Sequence, residues 1–278
     1  MIYLNAEVVS GLGEDTFWTW FQREFPSSRL GLPRKLGSED IVLQYSTLGF
    51  ANRSGKSLAL LWELLPQMRD VLQSDSWDSR LKLIHECARF STWRTTPTPL
   101  TSPHYDRFGS VDVLPIGVDT DLFKPLAEKR SLREKFSIPV DRKVGIWVGT
   151  THPMKGFGRV VEAAQRDPHV HWIVVWKWEA EAGHLHGGSN FTKVPQVMLR
   201  ELFNCADFFL SSSLLPSFFM AEWEAMACNL PIHFSDETLV KDFVPSPNPR
   251  DDVLRWHWDR KTARGLWADY LQGKGVAW

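Results

Sequence analysis

Apolar and polar positions along the chain repeat one pattern: a short apolar run, a turn of small residues, then apolar residues three and four apart. Residues 2–9 predict a strand, Ser10-Gly11-Leu12-Gly13 a loop, and Phe17, Trp20, Phe21 and Phe25 the buried stripe of a helix. Residues 40–45 predict a second buried strand, and Leu58, Leu61, Leu64, Leu65, Met68 and Leu72 a helical stripe after it. Residues 81–84 and 111–114 predict further strands. The pattern then restarts with a strand at 143–149, a loop, a helix over about 156–165 and a strand at 171–176. Such an alternation predicts an α/β chain of two domains, each a parallel sheet with helices on both faces. The joint lies in residues 115–125. The expected division is 1–127 and 128–278, with the option that the final helix packs back on the N-terminal domain. In open parallel sheets, ligands bind beyond the carboxyl ends of the strands.

Length and composition narrow the class without naming a reaction. At 278 residues, with 43% hydrophobic and 23% charged residues, the chain is long enough to bury a core and is not of disordered composition. Its net charge of −1 argues against a wholly basic nucleic-acid-binding surface and leaves room for a local basic face. Cys87, Cys205 and Cys228 show no CxxC spacing, so they suggest neither a disulfide framework nor a zinc ribbon. The first residues lack the basic start of a signal peptide, and the apolar run 58–65 is far short of the roughly 20 residues of a membrane span. These features predict a cytoplasmic protein. Fourteen tryptophans against four tyrosines are an oddity that composition alone does not explain.

Three ordered motifs carry chemistry. The joint reads Leu114-Pro115-Ile116-Gly117-Val118-Asp119-Thr120-Asp121-Leu122-Phe123-Lys124-Pro125. Next comes Val148-Gly149-Thr150-Thr151-His152-Pro153-Met154-Lys155-Gly156-Phe157, with Glu162-Ala163-Ala164 after it. The third block joins Ala206-Asp207-Phe208-Phe209 and Ser211-Ser212-Ser213 to Glu222-Trp223-Glu224-Ala225-Met226-Ala227-Cys228-Asn229-Leu230-Pro231. Together they resemble retaining glycosyltransferases of group 1 (family 4-like) with the GT-B fold, whose linker, KG loop, AD strand and EAMA helix follow in this order. The resemblance covers residues 114–231 and is weak before them. It implies two facing Rossmann-like domains, an N-terminal acceptor side and a C-terminal half that binds a nucleotide-diphosphate sugar, most simply a UDP-sugar.

The same resemblance assigns roles. Glu224 matches the second Glu of the family's E-x7-E motif, a carboxylate that accepts hydrogen bonds from the ribose hydroxyls. The first Glu of that motif is replaced by Pro216, so that either the sugar is held by backbone alone or Glu222 takes some of the work. Ser217-Phe218-Phe219-Met220 fills the turn whose backbone N–H groups face the diphosphate, so Phe218, Phe219 and Met220 are donor-site residues alongside an apolar, core-packing alternative. Lys155 matches the lysine that neutralises the departing diphosphate. Thr150 stands where the family places an arginine, which leaves the anion site one charge poorer. Leu83-Ile84-His85-Glu86 resembles a strand end whose His reaches the sugar near the reacting carbon, making His85 the second catalytic candidate beside a purely structural role. Gly11 and Gly13 resemble the glycine loop after the first strand.

Other signals imitate sites. Asp119-Thr120-Asp121 has the DxD form of a metal motif but sits inside the linker, so no metal ligand is expected. Ser54-Gly55-Lys56-Ser57 lacks the first glycine of a P-loop because position 50 is Phe50, and His184 and His186 stand alone. The implied activity is retaining, metal-independent glycosyl transfer to a hydroxyl, with no cofactor beyond the donor. Arg89, Trp93, Arg94, His104 and Arg107 give a stretch that resembles, in general terms, small phage enzymes that glycosylate hydroxymethylated DNA bases. A glycan or small-molecule acceptor fits the sequence equally. Pro216 and Thr150 also permit a sugar-nucleotide-binding partner subunit without catalysis, and a 2-epimerase on the same fold fits the motifs less well.

Overall fold

The computed structural model describes residues 1–5, 13–45, 56–61, 75–99, 101–150, 152–178, 184–213, 220–234, 247–255 and 258–276. The chain divides into two units, Met1–Gly117 with Lys261–Trp278, and Val118–Arg260.

In the first unit six parallel strands among the described residues run β1 (Ile2–Asn5), β2 (Ser28–Leu30), β3 (Ile41–Tyr45), β4 (Lys56–Leu60), β5 (Trp93–Thr96) and β6 (Asp112–Val113). Their order in the sheet is β2-β1-β3-β4-β5-β6. The aromatic stripe expected of the first helix is present on α1 (Gly13–Glu24), where Phe17, Trp20 and Phe21 are buried with Phe25. Phe17 and Phe21 lie 5.7 and 5.4 Å from Trp267, whose indole N–H donates to the Pro115 carbonyl. That contact places the last stretch of chain with the first unit.

Two expectations in this unit fail, one of them in part. Leu58 lies in β4 and Leu61 directly follows it, neither on a helix, while Leu64, Leu65, Met68 and Leu72 of the same expected stripe lie outside the described residues. Residues 81–84 lie inside α2 (Asp75–Phe90), where Ile84, Cys87 and Ala88 are buried and Leu83 is exposed. Four residues with three apolar positions cannot by themselves distinguish a strand from one turn of an amphipathic helix.

The second unit is a five-stranded parallel sheet among the described residues. Its strands are β7 (Val144–Gly149), β8 (His171–Trp176), β9 (Ser189–Thr192), β10 (Phe208–Ser211) and β11 (Ile232–Phe234), ordered β11-β10-β7-β8-β9. Helices α3 (Lys129–Lys135), α4 (Phe157–Arg166), α5 (Gln196–Cys205), α6 (Met220–Ala227) and α7 (Pro249–Arg255) connect them, and α8 (Arg260–Gly273) begins at the unit's edge.

The contact division falls at Gly117 and Val118, ten residues before the expected 127/128 boundary, because the linker packs into the second unit. Phe123 is buried against Phe203, and Asn204 accepts from the Leu126 amide and donates to the Lys124 carbonyl. Arg250 donates to the carbonyls of Thr120, Phe123 and Ala227. Asp207 is likewise an anchor: it accepts from Arg133 and Lys129, and from the Val144 amide at the start of β7. Among the described residues no helix is long and apolar enough to cross a membrane.

Candidate functional site

Strand order singles out a candidate site in the second unit. The chain moves from β7 to β8 and β9 on one side and places β10 and β11 on the other, so the connections after β7 and β10 leave in opposite directions. A crevice opens at such a switch point. The loop after β7 and the end of β10 meet there through fixed contacts. The Ser212 hydroxyl accepts from the Trp147 indole at 2.9 Å and donates to the Lys155 carbonyl at 2.8 Å. Gly156 has φ +63°, and a Cβ at this position would lie 2.0 Å from the Ser212 carbonyl oxygen. Only glycine allows both that backbone and that approach. The glycine of the KG pair therefore seats the lysine.

Lys155 is half-buried, and its amide closes a turn on the His152 carbonyl at 2.8 Å. The Thr150 hydroxyl accepts from the His152 amide at 3.2 Å, so this residue shapes the loop that carries the lysine. Arg159, on α4, directs its guanidinium to the Ser212 carbonyl.

Helix α6 supplies two carboxylates from a segment that is otherwise apolar. Glu222 is 3% exposed and Glu224 6%. Positions two apart on a helix point to different sides, and the two carboxyls meet different partners. Glu222 accepts from the Ser211 hydroxyl at the end of β10, and its Oε2 is buried without a hydrogen-bond partner. Burial pushes this carboxyl up to about 7, against the lowering effects of Ser211 and the Lys155 charge. Glu224 is pushed up to about 8 by burial, against the charges of Arg260 and Lys177, with Asp119 adding to the rise. Buried carboxyls shifted upward at a sheet's carboxyl edge make this a candidate functional site.

Thr150, Lys155, Met220 and Glu224 thus belong to one edge of one sheet. Met220 opens α6 while its side chain packs against the core. Phe218, Phe219 and Pro216 lie outside the described residues, as does Gly11; Gly13 is the first residue of α1 in the other unit.

The strand-end position expected of His85 is corrected: the residue occupies the middle of α2, 2.7 Å from the Arg107 guanidinium and beside the Phe108 ring. Burial and the Arg107 charge hold its imidazole below the usual value. The basic stretch around it is largely engaged within the unit: Arg94 donates to the carbonyls of Ala88, Arg89 and Ser91 at the end of α2, and Lys274 lies over Trp93. Asp119 is engaged too, its Oδ1 accepting from the Leu122 amide and its Oδ2 from Arg260.

Sequence reasoning did not place Ser211, Ser212, Gly156 or Lys177 in the site. One usable signal was Met220-Ala221-Glu222-Trp223-Glu224-Ala225-Met226-Ala227, in which two carboxylates interrupt a helix whose remaining residues are apolar.

No protein-family model matches the sequence. The D-inositol 3-phosphate glycosyltransferase of Mycobacterium tuberculosis is 31% identical over 136 residues, which cover 44% of this chain and 28% of that protein. The structure of Anabaena HepE in complex with UDP-glucose superposes with a TM-score of 0.75 at 14% identity, covering 98% of this chain and 99% of that one. WaaG, a glycosyltransferase involved in lipopolysaccharide biosynthesis, gives 0.66 at 14% identity over 97% and 93%. The two parallel α/β units are those of the GT-B glycosyltransferase fold.

Proposed function

We propose that the protein transfers a sugar from a nucleotide-diphosphate donor, a UDP-sugar in the first instance, to a hydroxyl acceptor. The observation that carries this reading is the placement of Lys155 and the buried carboxylates of α6 at the switch point of the second sheet. A half-buried ammonium suits a diphosphate, and a carboxylate suits the vicinal diol of a ribose because it accepts two hydrogen bonds. UDP-glucose in the structurally similar Anabaena chain supports the donor class.

In this reading Glu224 holds the ribose and Lys155 holds the diphosphate. The bond from the sugar's anomeric carbon to the β-phosphate oxygen breaks, and a bond to the acceptor oxygen forms on the same face. The departing phosphate oxygen takes the acceptor's proton. The protein's work is orientation and stabilisation of the growing phosphate charge. Because Lys155 supplies the counter-charge, the proposed reaction needs no divalent ion.

Incubation with UDP-, GDP-, ADP- and TDP-sugars in EDTA, with alcohols that include sugars, inositol phosphate and hydroxymethylated DNA, tests this directly. Nucleoside diphosphate and a glycosylated product of unchanged anomeric configuration are expected. Release only after manganese is added overturns metal independence. Binding with no release for any acceptor identifies a sugar-nucleotide-binding subunit instead.

A further inference from the structure

A lysine carries its charge on a flexible four-carbon stem, so its aim depends on how firmly its backbone is held, and a misplacement of about 1 Å at a reacting centre can cost about 10²-fold in rate. Both polar backbone groups of Lys155 are fastened. The amide donates to the His152 carbonyl at 2.8 Å, and the carbonyl accepts from the Ser212 hydroxyl at 2.8 Å. An indole N–H can only donate, so the 2.9 Å bond from Trp147 makes the Ser212 oxygen an acceptor and leaves its single proton for the Lys155 carbonyl. The direction of both bonds follows from the groups themselves.

The indole is itself built into place. Trp147 is 2% exposed and Ser212 1%. The Trp147 ring packs against Phe157 and Trp176, each with its centroid 5.1 Å away. A Cβ at Gly149 would lie 2.5 Å from Trp147 Cζ2, so a bare backbone at the end of β7 is what lets the ring lie across it. Among the described residues the indole nitrogens of Trp172 and Trp176, in the same cluster, meet no acceptor. Packing in this cluster therefore does not require a partner for an indole, and the aim of Trp147 at Ser212 is a separate feature. The Ser212 main chain is clamped too, its carbonyl against Gly156 and facing the Arg159 guanidinium.

We propose that Trp147 is a positioning residue for Lys155 and acts through Ser212: the indole orients the hydroxyl, and the hydroxyl fixes the carbonyl of the residue whose side chain reaches the diphosphate. This rests on the nucleotide-sugar reading above. As the phosphate gains charge, a well-placed ammonium is worth more to the transition state than to the bound donor, so loss of the relay falls on turnover rather than on donor binding.

The test is steady-state release of nucleoside diphosphate by Trp147→Phe, which keeps a ring and removes the N–H, and by Ser212→Ala, which removes the hydroxyl. Each is made alone, together with the other, and on Lys155→Ala. Each single variant is expected to lower turnover about tenfold with the donor KM within about threefold, and the pair to do no worse than Ser212→Ala alone. On Lys155→Ala neither is expected to cost more than about twofold, because the lysine through which they act is gone. Ser212→Cys, which keeps a weaker donor, is expected to restore part of the turnover and carries the same comparison if Trp147→Phe folds poorly. An equal fall with and without Lys155 means that the relay supports only the fold and overturns the inference. Near-normal turnover in both single variants, or a raised donor KM at unchanged turnover, also overturns it and leaves the nucleotide reading intact. Near-normal turnover in Lys155→Ala itself, or no release from any donor, overturns the functional reading and this inference with it.

Discussion

In the first unit the buried polar side chains are mostly hydroxyls that satisfy the backbone and one another. Buried Ser57 and exposed Thr92 each accept from the other's amide at 3.1 Å, Thr95 donates to the Ala59 carbonyl, and Thr98 and Thr101 share a hydrogen bond. In the second unit two carboxyls are buried on one short helix, both raised toward or past neutrality, one of them with an unmet oxygen. Neutral, satisfied hydroxyls fix how strands sit together at small cost. Buried carboxyls subtract from stability when they ionise, and Asp252 in the same unit is a further buried one with an unmet oxygen. The contrast sets buried, raised carboxyls in the second unit against Arg94 of the first, whose guanidinium satisfies carbonyls of its own unit.

Substitution of Lys155 should break this contrast most severely. Negative charge on the phosphate grows as the sugar bond breaks, so the cation is worth more in the transition state than in the bound donor. Lys155→Ala is expected to lower turnover by about 10²–10³, and Lys155→Arg to keep part of it. Steady-state release of nucleoside diphosphate measures both. Near-normal turnover in the alanine variant would show that the diphosphate is held elsewhere.

Glu224 separates binding from stability. Glu224→Ala should weaken nucleotide binding by about 10–100-fold, as expected for loss of charge-assisted hydrogen bonds, and affect turnover at saturation much less. The empty protein should show the opposite tendency. A carboxyl that stands at about 8 when folded and 4.5 otherwise binds its proton more tightly in the native state, so its ionisation destabilises the fold as pH rises between those values. Glu224→Gln should therefore lose less stability than wild type between pH 5 and 8, read from urea unfolding midpoints. Parallel pH profiles for the two proteins would mean that the carboxyl is ionised at little cost and is not held for a ligand.

How far these features were legible differs between the two units for a physical reason. In the second unit, long apolar strands flanked by a glycine loop and an amphipathic helix gave periodicities that only one element type satisfies, and β7, α4 and β8 stand where the pattern put them. The motif residues there do two jobs that spacing cannot separate. Asp207 and Asn204 are anchors, while Lys155 lies in the loop after β7 and Glu222 in the first turn of α6. In the first unit, β4 and β5 are too short and too polar in part to announce themselves, and Leu81-Lys82-Leu83-Ile84 alternates like a strand although it forms one turn of α2. The pairing of Glu222 with Ser211 depends on two elements eleven residues apart closing on each other, which no local pattern records.

Arg94 tests the architectural side of the comparison. Its guanidinium satisfies carbonyls in and just after the last turn of α2, groups a helix cannot satisfy internally, and it adds positive charge at the negative end of the helix. Arg94→Met keeps much of the aliphatic stem and removes the donors. It is expected to cost about 1–2 kcal/mol of unfolding free energy and to leave nucleotide affinity within a factor of about two. A large fall in affinity with unchanged stability would give this arginine a ligand and blur the distinction between the units.

The smallest effect is expected at His85, and its smallness is the point. The strand-end position would have aimed the imidazole at the reacting sugar, but the residue sits mid-helix, its Nε2 accepting from Arg107 and its ring beside Phe108. Burial and the arginine's charge both disfavour the protonated ring, which agrees with an acceptor nitrogen. His85→Asn removes an exposed, charge-assisted contact, for which mutational effects are typically within about 1 kcal/mol. Turnover should change by less than about threefold, with no new step in its pH profile between 6 and 8. A loss of a hundredfold would return His85 to the chemistry and make the first unit a second source of reactive groups.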